Sequence, residues 1–403
     1  EMCIRDRGEI VWDERIVPDE TELPIDPSSH VPSGFDETQR NQPGGFAGEV
    51  DIMDTWATSS LTPQIACGWG EDEDLFSRTY PMDMRPQGHD IIRTWLFSTA
   101  VRSHLEEAAA PWRNCALSGW ILDPDRKKMS KSKGNVVTPK GLLDQYGSDA
   151  VRYWAANGRP GTDTAFDEGQ MKIGRRLAIK ILNASKFSLT LAGDSEADLA
   201  SVSNPLDQAL LSKLADLIET ATAAFDDFDY ARALERTEQF FWGFTDDYVE
   251  LVKARAYGSQ GPQEAESAHT TLVITLDALL RLFAPFLPFV TAEVWEWSHQ
   301  DSIHCAPWPT KVNLTKGLPE QIDIKLLDAA SETLSEVRRA KTEAKRSLKV
   351  KAEKVVVSAS SERINLVNLV HNDLVEAGNI EALELVEQEG ITPQVEVTLA
   401  EEE

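Results

Sequence analysis

The sequence predicts an α/β region, then an all-α helical bundle, then a small α+β module. Three observations carry this reading. Residues 49–167 mix short apolar runs, glycines and helical pieces, the alternation of an α/β layer. Four long amphipathic stretches follow between residues 168 and 300, which is the pattern of a bundle. Short β-rich runs at 354–358, 380–386 and 394–399, with a helical stretch at 363–377, close the chain.

With 403 residues the chain is too long for one ordinary domain and points to two to four. Hydrophobic residues at 41% allow real cores, and charged residues at 27% fit a soluble globular protein. No apolar run approaches the roughly 18 residues that span a bilayer. The densest, 279–290, is interrupted by Arg281, Pro285 and Pro288. No membrane partner is expected. Cys3, Cys67, Cys115 and Cys305 lie far apart without a CxxC pair. That argues against a zinc ribbon and a disulfide framework, leaves no metal site to name, and agrees with a reducing, cytoplasmic setting.

Residues 1–48 read as an irregular connector with short strands such as Glu9–Trp12, punctuated by Pro18, Pro24, Pro27, Pro32 and Pro43. The start at Glu1 lacks a signal-peptide pattern. The chain reads as a fragment, with residues 1–7 outside the fold. In the α/β region, Ile91–Val101 reads as a buried helix and Ala116–Leu122 as a strand running into a loop. In the bundle, 168–315, Ile173, Leu177, Ile181 and Ala184 repeat at helical spacing. So do Leu206, Leu210, Leu214, Leu217, Ala221 and Phe225, with Asn204 and Pro205 as N-cap and first-turn proline. Tyr230, Leu234, Thr237, Phe241, Phe244, Tyr248 and Leu251 form an aromatic stripe that reads as helix core. A fourth helix, 272–283, is bent or ended by Pro285 and Pro288. Residues 316–403 form the α+β module, opened by a helix through Leu326, Ala330, Leu334 and Val337.

The net charge of -27 excludes a general nucleic-acid binder, which needs Lys and Arg against phosphate. One local exception is 338–354, with eight basic residues against Glu343 and Glu353, a net +6 that leaves -33 on the rest. It reads equally as a contact for an RNA backbone or as a solvated face.

The strongest local signal is Lys127-Lys128-Met129-Ser130-Lys131-Ser132-Lys133-Gly134-Asn135. Lysines are mobile point charges suited to phosphate oxygens, and Ser and Gly let backbone N–H groups approach an anion. Such a loop can close over a triphosphate and neutralise charge as pyrophosphate leaves.

Lys128–Ser132 spells the KMSKS motif, and the chain resembles the class I aminoacyl-tRNA synthetases. The resemblance extends over Ser118–Arg126 before the motif and Val136–Pro139 after it, in the wording of the valyl type. It implies that Lys131 stabilises the transition state of amino-acid adenylation and that Lys128 assists on the phosphates. Met129, Ser130 and Ser132 join them at ATP. Asp51–Trp56 resembles the family's amino-acid pocket strand, and Gly88–Trp95 its second pocket and ribose-contacting segment. Trp56, Ile91 and Trp95 are thereby expected against the substrate side chain, as an apolar wall. Gly88 and Asp90 are expected near the ATP ribose, where a carboxylate accepts from hydroxyls. His89 is equally a structural or a catalytic residue.

The wording fits the valyl type better than the isoleucyl or leucyl types, although Ala57-Thr58-Ser59-Ser60 departs from the aromatic and serines common there. The resemblance implies ATP with Mg²⁺, valine and tRNA-Val as substrates and partners, a monomer aside from tRNA, and editing elsewhere in the parent, since an apolar pocket separates near-isosteres poorly. It also implies the C-terminal half of a Rossmann-type catalytic domain, followed over 168–315 by a helical anticodon-binding domain, to which Leu280–Phe289 and Ala306–Pro309 are similar. None of the seven histidines sits in a His-x-Gly-His setting. The isolated chain is therefore expected to lack the family's first ATP motif and the adenylation activity. An isoleucyl-type enzyme and a non-catalytic tRNA-binding protein are the alternatives.

Overall fold

The computed structural model describes residues 2–6, 9–51, 54–130, 134–192, 197–319 and 321–400. The chain forms two compact units, Glu1–Leu117 and Ser118–Glu403.

In the first unit, β1 (Met2–Asp6) lies between β2 (Glu9–Ile16) and β3 (Phe46–Gly48) in an antiparallel sheet. The register pairs Met2 with both Ile16 and Gly48. This corrects the reading of the first residues as outside the fold for Met2–Asp6, while Glu1 and Arg7 lie outside the described residues. Phe46 is fully buried, with Phe35 edge-on at 5.4 Å and the Arg40 guanidinium 4.9 Å above its ring. Three short helices follow: α1 (Trp56–Ser59), α2 (Thr62–Ala66) and α3 (Glu73–Thr79). Then β4 (Met82–Gly88) leads through a 3₁₀ turn at His89–Ile91 and a π-helical turn at Ile92–Leu96 into α4 (Phe97–Glu107). β5 (Trp112–Ser118) pairs with β4.

The expected buried helix at 91–101 is thus a mixed 3₁₀, π and α segment, and only part of it is core. Trp95 and Thr99 are buried, whereas Phe97 and Val101 are 64% and 40% exposed. Helical periodicity identified the element, but it carries no information on whether an apolar row finds a partner.

The second unit opens with β6 (Ile121–Leu122), which pairs in parallel with β7 (Thr164–Ala165). Between them lie α5 (Pro139–Tyr146) and α6 (Ser148–Ala156). The helical part comprises α7 (Glu168–Ala192), α8 (Pro205–Asp226), α9 (Tyr230–Gly243), α10 (Val249–Ala256), α11 (Pro262–Phe283), α12 (Pro288–Trp295) and α13 (Lys311–Thr315). Asn204 caps α8, its side chain accepting from the Leu206 N–H, with Pro205 at the first position. The aromatic stripe from Tyr230 is core, as expected. A π-helical turn at Phe244–Tyr248 joins α9 to α10 and keeps Phe241, Phe244 and Tyr248 buried along one side. Pro285 and Pro288 end one helix and start the next. Asp149 on α6 receives the Phe289 and Val290 N–H groups of α12 at 3.1 and 2.8 Å. Burial pushes the Asp149 carboxyl up, and the two N–H donors pull it back.

The last part has α14 (Lys325–Glu343), β8 (Ala352–Ala359), α15 (Ser361–Leu369), α16 (His371–Gly378), β9 (Ile380–Glu387) and β10 (Gln394–Leu399). The strand order is β10-β8-β9, with β8 parallel to β9 and antiparallel to β10. The single helix expected at 363–377 is two, broken at Val370. Arg255 fastens this part to the bundle. The fully buried guanidinium takes Asp207 in a two-pronged contact at 2.8 and 2.7 Å and Asp373 at 3.1 Å. Tyr248 and Ser267 hydroxyls donate to the same Asp207 carboxylate.

The basic run 338–354 is partly neutralised. Arg338 faces Asp247, Arg339 faces Glu336, Lys351 faces Glu381 and Lys354 faces Glu384. Lys341 is buried, its ammonium donating to the Leu348 and Gly378 carbonyls at 3.1 and 2.6 Å.

Candidate nucleotide loop and amino-acid pocket

The lysine-rich loop hangs from β6. The Thr164 N–H donates to the Trp120 carbonyl and the Phe166 N–H to that of Leu122, both at 2.9 Å. The Trp120 N–H donates to the Asp163 carboxylate at 2.8 Å. Gly119 makes this approach possible: a Cβ there would stand 2.2 Å from the Thr162 carbonyl oxygen, which is backbone and cannot yield.

Beyond β6 the chain turns back on itself. The Asp123 N–H donates to the Lys127 carbonyl at 2.9 Å, and the Lys127 N–H returns a bond to Asp123 Oδ1 at 2.7 Å. Arg126 supplies the left-handed residue of the turn at φ +62°, and Leu122 forms a bridge with Lys128. Asn135 closes the far side. Its Nδ2 donates to Asp123 Oδ2 at 2.7 Å and to the Lys128 carbonyl at 3.3 Å. Its Oδ1 accepts the Ser130 N–H at 2.9 Å. The Asn135 side chain and the Lys127 N–H hold the Asp123 carboxyl below the usual carboxylate range.

Of the ATP-side residues expected here, Lys128 is exposed, and its ammonium rests 4.0 Å from the centroid of the Trp120 ring. Such an exposed cation–π contact is worth about 0.5–1 kcal/mol. A charge-assisted bond to a phosphate, at about 1.5–3 kcal/mol, outcompetes it. Met129 and Ser130 are half-buried. The Ser130 N–H is directed at Asn135 in this arrangement, not at an anion. Lys131 and Ser132 lie outside the described residues.

In the first unit, the expected pocket strand at 51–56 is not a strand in its described part. Asp54 Oδ1 accepts the Trp56 N–H at 2.9 Å, turning the chain into α1, and Ile52 and Met53 lie outside the described residues. Trp56 is partly exposed and Ile91 half-buried. Trp95 is core, only 3% exposed. Its ring stacks on Trp112 at 5.6 Å and 8° and carries the Arg85 guanidinium at 4.1 Å. Its indole N–H donates to the Ser59 carbonyl at 2.7 Å, and Arg102 donates to the Ala57 carbonyl and the Ser60 hydroxyl. The stretch Ala57–Ser60 that departs from the usual wording therefore binds the helix of Trp56 to the segment of Trp95. Gly88 lies beside Asp90: a Cβ on Gly88 would come within 2.8 Å of Asp90 Oδ1. The exposed Asp90 carboxylate thus stands over a position where only a hydrogen fits without a shift. Sequence reasoning missed Asn135, Asp123, Trp112 and Arg85. The only signal was that the first two fall inside the family-like wording.

A cavity of about 570 Å³ opens elsewhere, among Leu189, Leu276, Arg281 and His299, and none of the residues expected at ATP or the amino acid lines it. No helix among the described residues is long and apolar enough to cross a membrane.

Comparison with known proteins agrees with these features. Residues 18–167 match the tRNA synthetases class I (I, L, M and V), and residues 207–357 the anticodon-binding domain of tRNA ligase. The valine–tRNA ligase of Thermobifida fusca (strain YX) is 57% identical over 98% of this chain and 44% of the relative. Those of Salinispora tropica and Cutibacterium acnes are 52% and 50% identical, over 97% and 93% of this chain and 47% and 43% of the relatives. The chain thus spans somewhat under half the length of these relatives. Among solved structures, the LeuRS of Agrobacterium radiobacter K84 agnB2, in a ternary complex with tRNA and LeuAMS, superimposes with a TM-score of 0.57 at 22% identity. It covers 68% of this chain and 35% of its own, and shares the fold. With a lysine loop set on a parallel strand pair and a helical part fused behind it, the chain belongs to the class I tRNA synthetases (I, L, M and V).

Proposed function

We propose that the chain supplies the nucleotide loop and the anticodon-binding part of a valine–tRNA ligase, which couples ATP to the joining of valine and tRNA-Val in the cytoplasm. The observation that carries this is 57% identity over 98% of the chain with a valine–tRNA ligase. In this reading, residues 49–167 belong to the catalytic domain, 168–315 bind the anticodon stem, 316–403 are an accessory module and 1–48 connect to what precedes them. Lys128 and Lys131 neutralise the phosphates of Mg-ATP, while Met129, Ser130 and Ser132 shape the loop around them. Gly88 and Asp90 receive the ribose. Trp56 and Ile91 face the valine side chain, and Trp95 sets the wall behind them, since its ring and N–H are already engaged with Trp112, Arg85 and Ser59. The enzyme acts as a monomer.

The test is valine-dependent ATP–pyrophosphate exchange. It is run on a chimera in which this chain replaces the matching part of the Thermobifida relative, beside the Lys131→Ala variant. Exchange driven by valine and lowered by orders of magnitude in the variant is expected. Exchange driven by isoleucine moves the pocket assignment, and tRNA binding without any exchange refutes the ligase reading.

A further inference from the structure

We propose that Asn135, acting with Asp123, is a positioning residue that fixes where Lys128 and Ser130 stand relative to β6. The catalytic consequence rests on the ligase reading above, whereas the clasp itself does not. A carboxamide offers one acceptor and two donors in a rigid plane. Here all are matched, to the Ser130 N–H, the Asp123 carboxylate and the Lys128 carbonyl. Asp123 uses its other oxygen on the Lys127 N–H. Four bonds thus tie residues 123, 127, 128, 130 and 135 into one ring of contacts. Gly134, at φ +67°, delivers Asn135 to it through a left-handed turn that other residues rarely adopt. The lysine loop is therefore bracketed. Its ends are fixed by Asp123 and Asn135, and between them the Lys128 ammonium rests over the Trp120 ring.

The bonding pattern dictates an exchange experiment. Asn135→Asp sets two carboxylates within hydrogen-bond distance, where they cannot both be ionised without strain. Adding Asp123→Asn restores a donor facing an acceptor and keeps both the Ser130 and Lys127 N–H bonds. Only the long contact to the Lys128 carbonyl is not recovered. Amide hydrogen exchange over 127–130 of this chain is the first readout. At neutral pH, Asn135→Asp is expected to raise the opening equilibrium by about ten- to a hundredfold, the loss of one charge-assisted bond. The doubly exchanged chain is expected to recover most of that protection. The single variant also regains protection as the pH falls and the two carboxylates come to share a proton, which a merely unfolded loop does not do. In the chimera, the same variant is expected to raise the KM for ATP and lower kcat, with the KM for valine within about twofold, and the double variant to reverse this. Wild-type exchange in Asn135→Asp, or a double variant no better than the single one, overturns the proposal. A wild-type chimera inactive with valine refutes the ligase reading instead, and the hydrogen exchange still decides the clasp.

Discussion

Replacing Arg255 by Met strands two acids in the interior. The guanidinium is wholly inaccessible and satisfies Asp207, fully buried, and Asp373, 4% exposed. Without it the two carboxylates must be buried unpaired or protonated. Removing one partner of a buried ion pair costs about 3–5 kcal/mol. With two acids left behind, the upper end of that range is expected. Typical domains hold about 5–15 kcal/mol in total, so the variant sits near its folding threshold. Asp373→Asn is the internal control. It leaves the two-pronged Asp207 contact intact, and burial already pushes the Asp373 carboxyl up, against the pull of Arg255. Its cost is about 1.5–3 kcal/mol, the worth of a hydrogen bond to a charged group. Urea denaturation followed by the shift of the midpoint measures both. An Arg255→Met loss below about 1 kcal/mol, the range of an exposed pair, or a loss smaller than that of Asp373→Asn, refutes the reasoning.

Three further outcomes are expected. Gly119→Ala drives a Cβ into the Thr162 backbone; residues 120–122 then part from 162–165, and the Thr164 and Phe166 amides lose hydrogen-exchange protection. Gly174→Ala places a methyl 2.7 Å from the Cβ of the buried Tyr153. The overpacking cost of about 1–3 kcal/mol exceeds the helical gain of about 1 kcal/mol, so the thermal midpoint falls. Burial, and then Arg338, lower the Lys341 ammonium below its ordinary value. The folded state therefore binds fewer protons than the unfolded one from its lowered pKa up to the ordinary lysine value of about 10.4, and stability rises with pH across this window. Thermal midpoints of the wild type should climb relative to Lys341→Met over that range, and parallel curves contradict the assignment.

Much of the fold was legible because it is periodic or punctuated. Asn204-Pro205 announced the start of α8, and Pro285 and Pro288 marked the break before α12. The apolar step from Tyr230 to Leu251 carried through a π-helical turn, because the stripe constrains the buried side and not the hydrogen-bond pattern. What stayed hidden depends on partners distant in sequence. Phe97 and Val101 fall in the stretch that reads as a buried helix, yet both are exposed. Asp123 and Asn135 are separated by twelve positions and linked through side-chain amide and carboxylate atoms, which no periodicity registers. Trp95 was legible as important, but its neighbours Trp112 and Arg85 come from different strands.

The basic run in the last part of the chain has a consequence for its long-range field. Lys351, just before β8, stands 2.8 Å from Glu381, and Lys354 on β8 stands 2.8 Å from Glu384, so that strand β9 supplies the acid of two charge-paired rungs. Arg338 and Arg339 are likewise matched, and Lys341 is inside. At a distance of one Debye length, about 8 Å at physiological salt, such rungs project as small dipoles and not as a row of cations. A polyanion meeting this face displaces few condensed counterions, because those lysines have acids in their place already. The salt dependence of any RNA contact here is then set by fewer charges than the formal count of eight basic residues between 338 and 354.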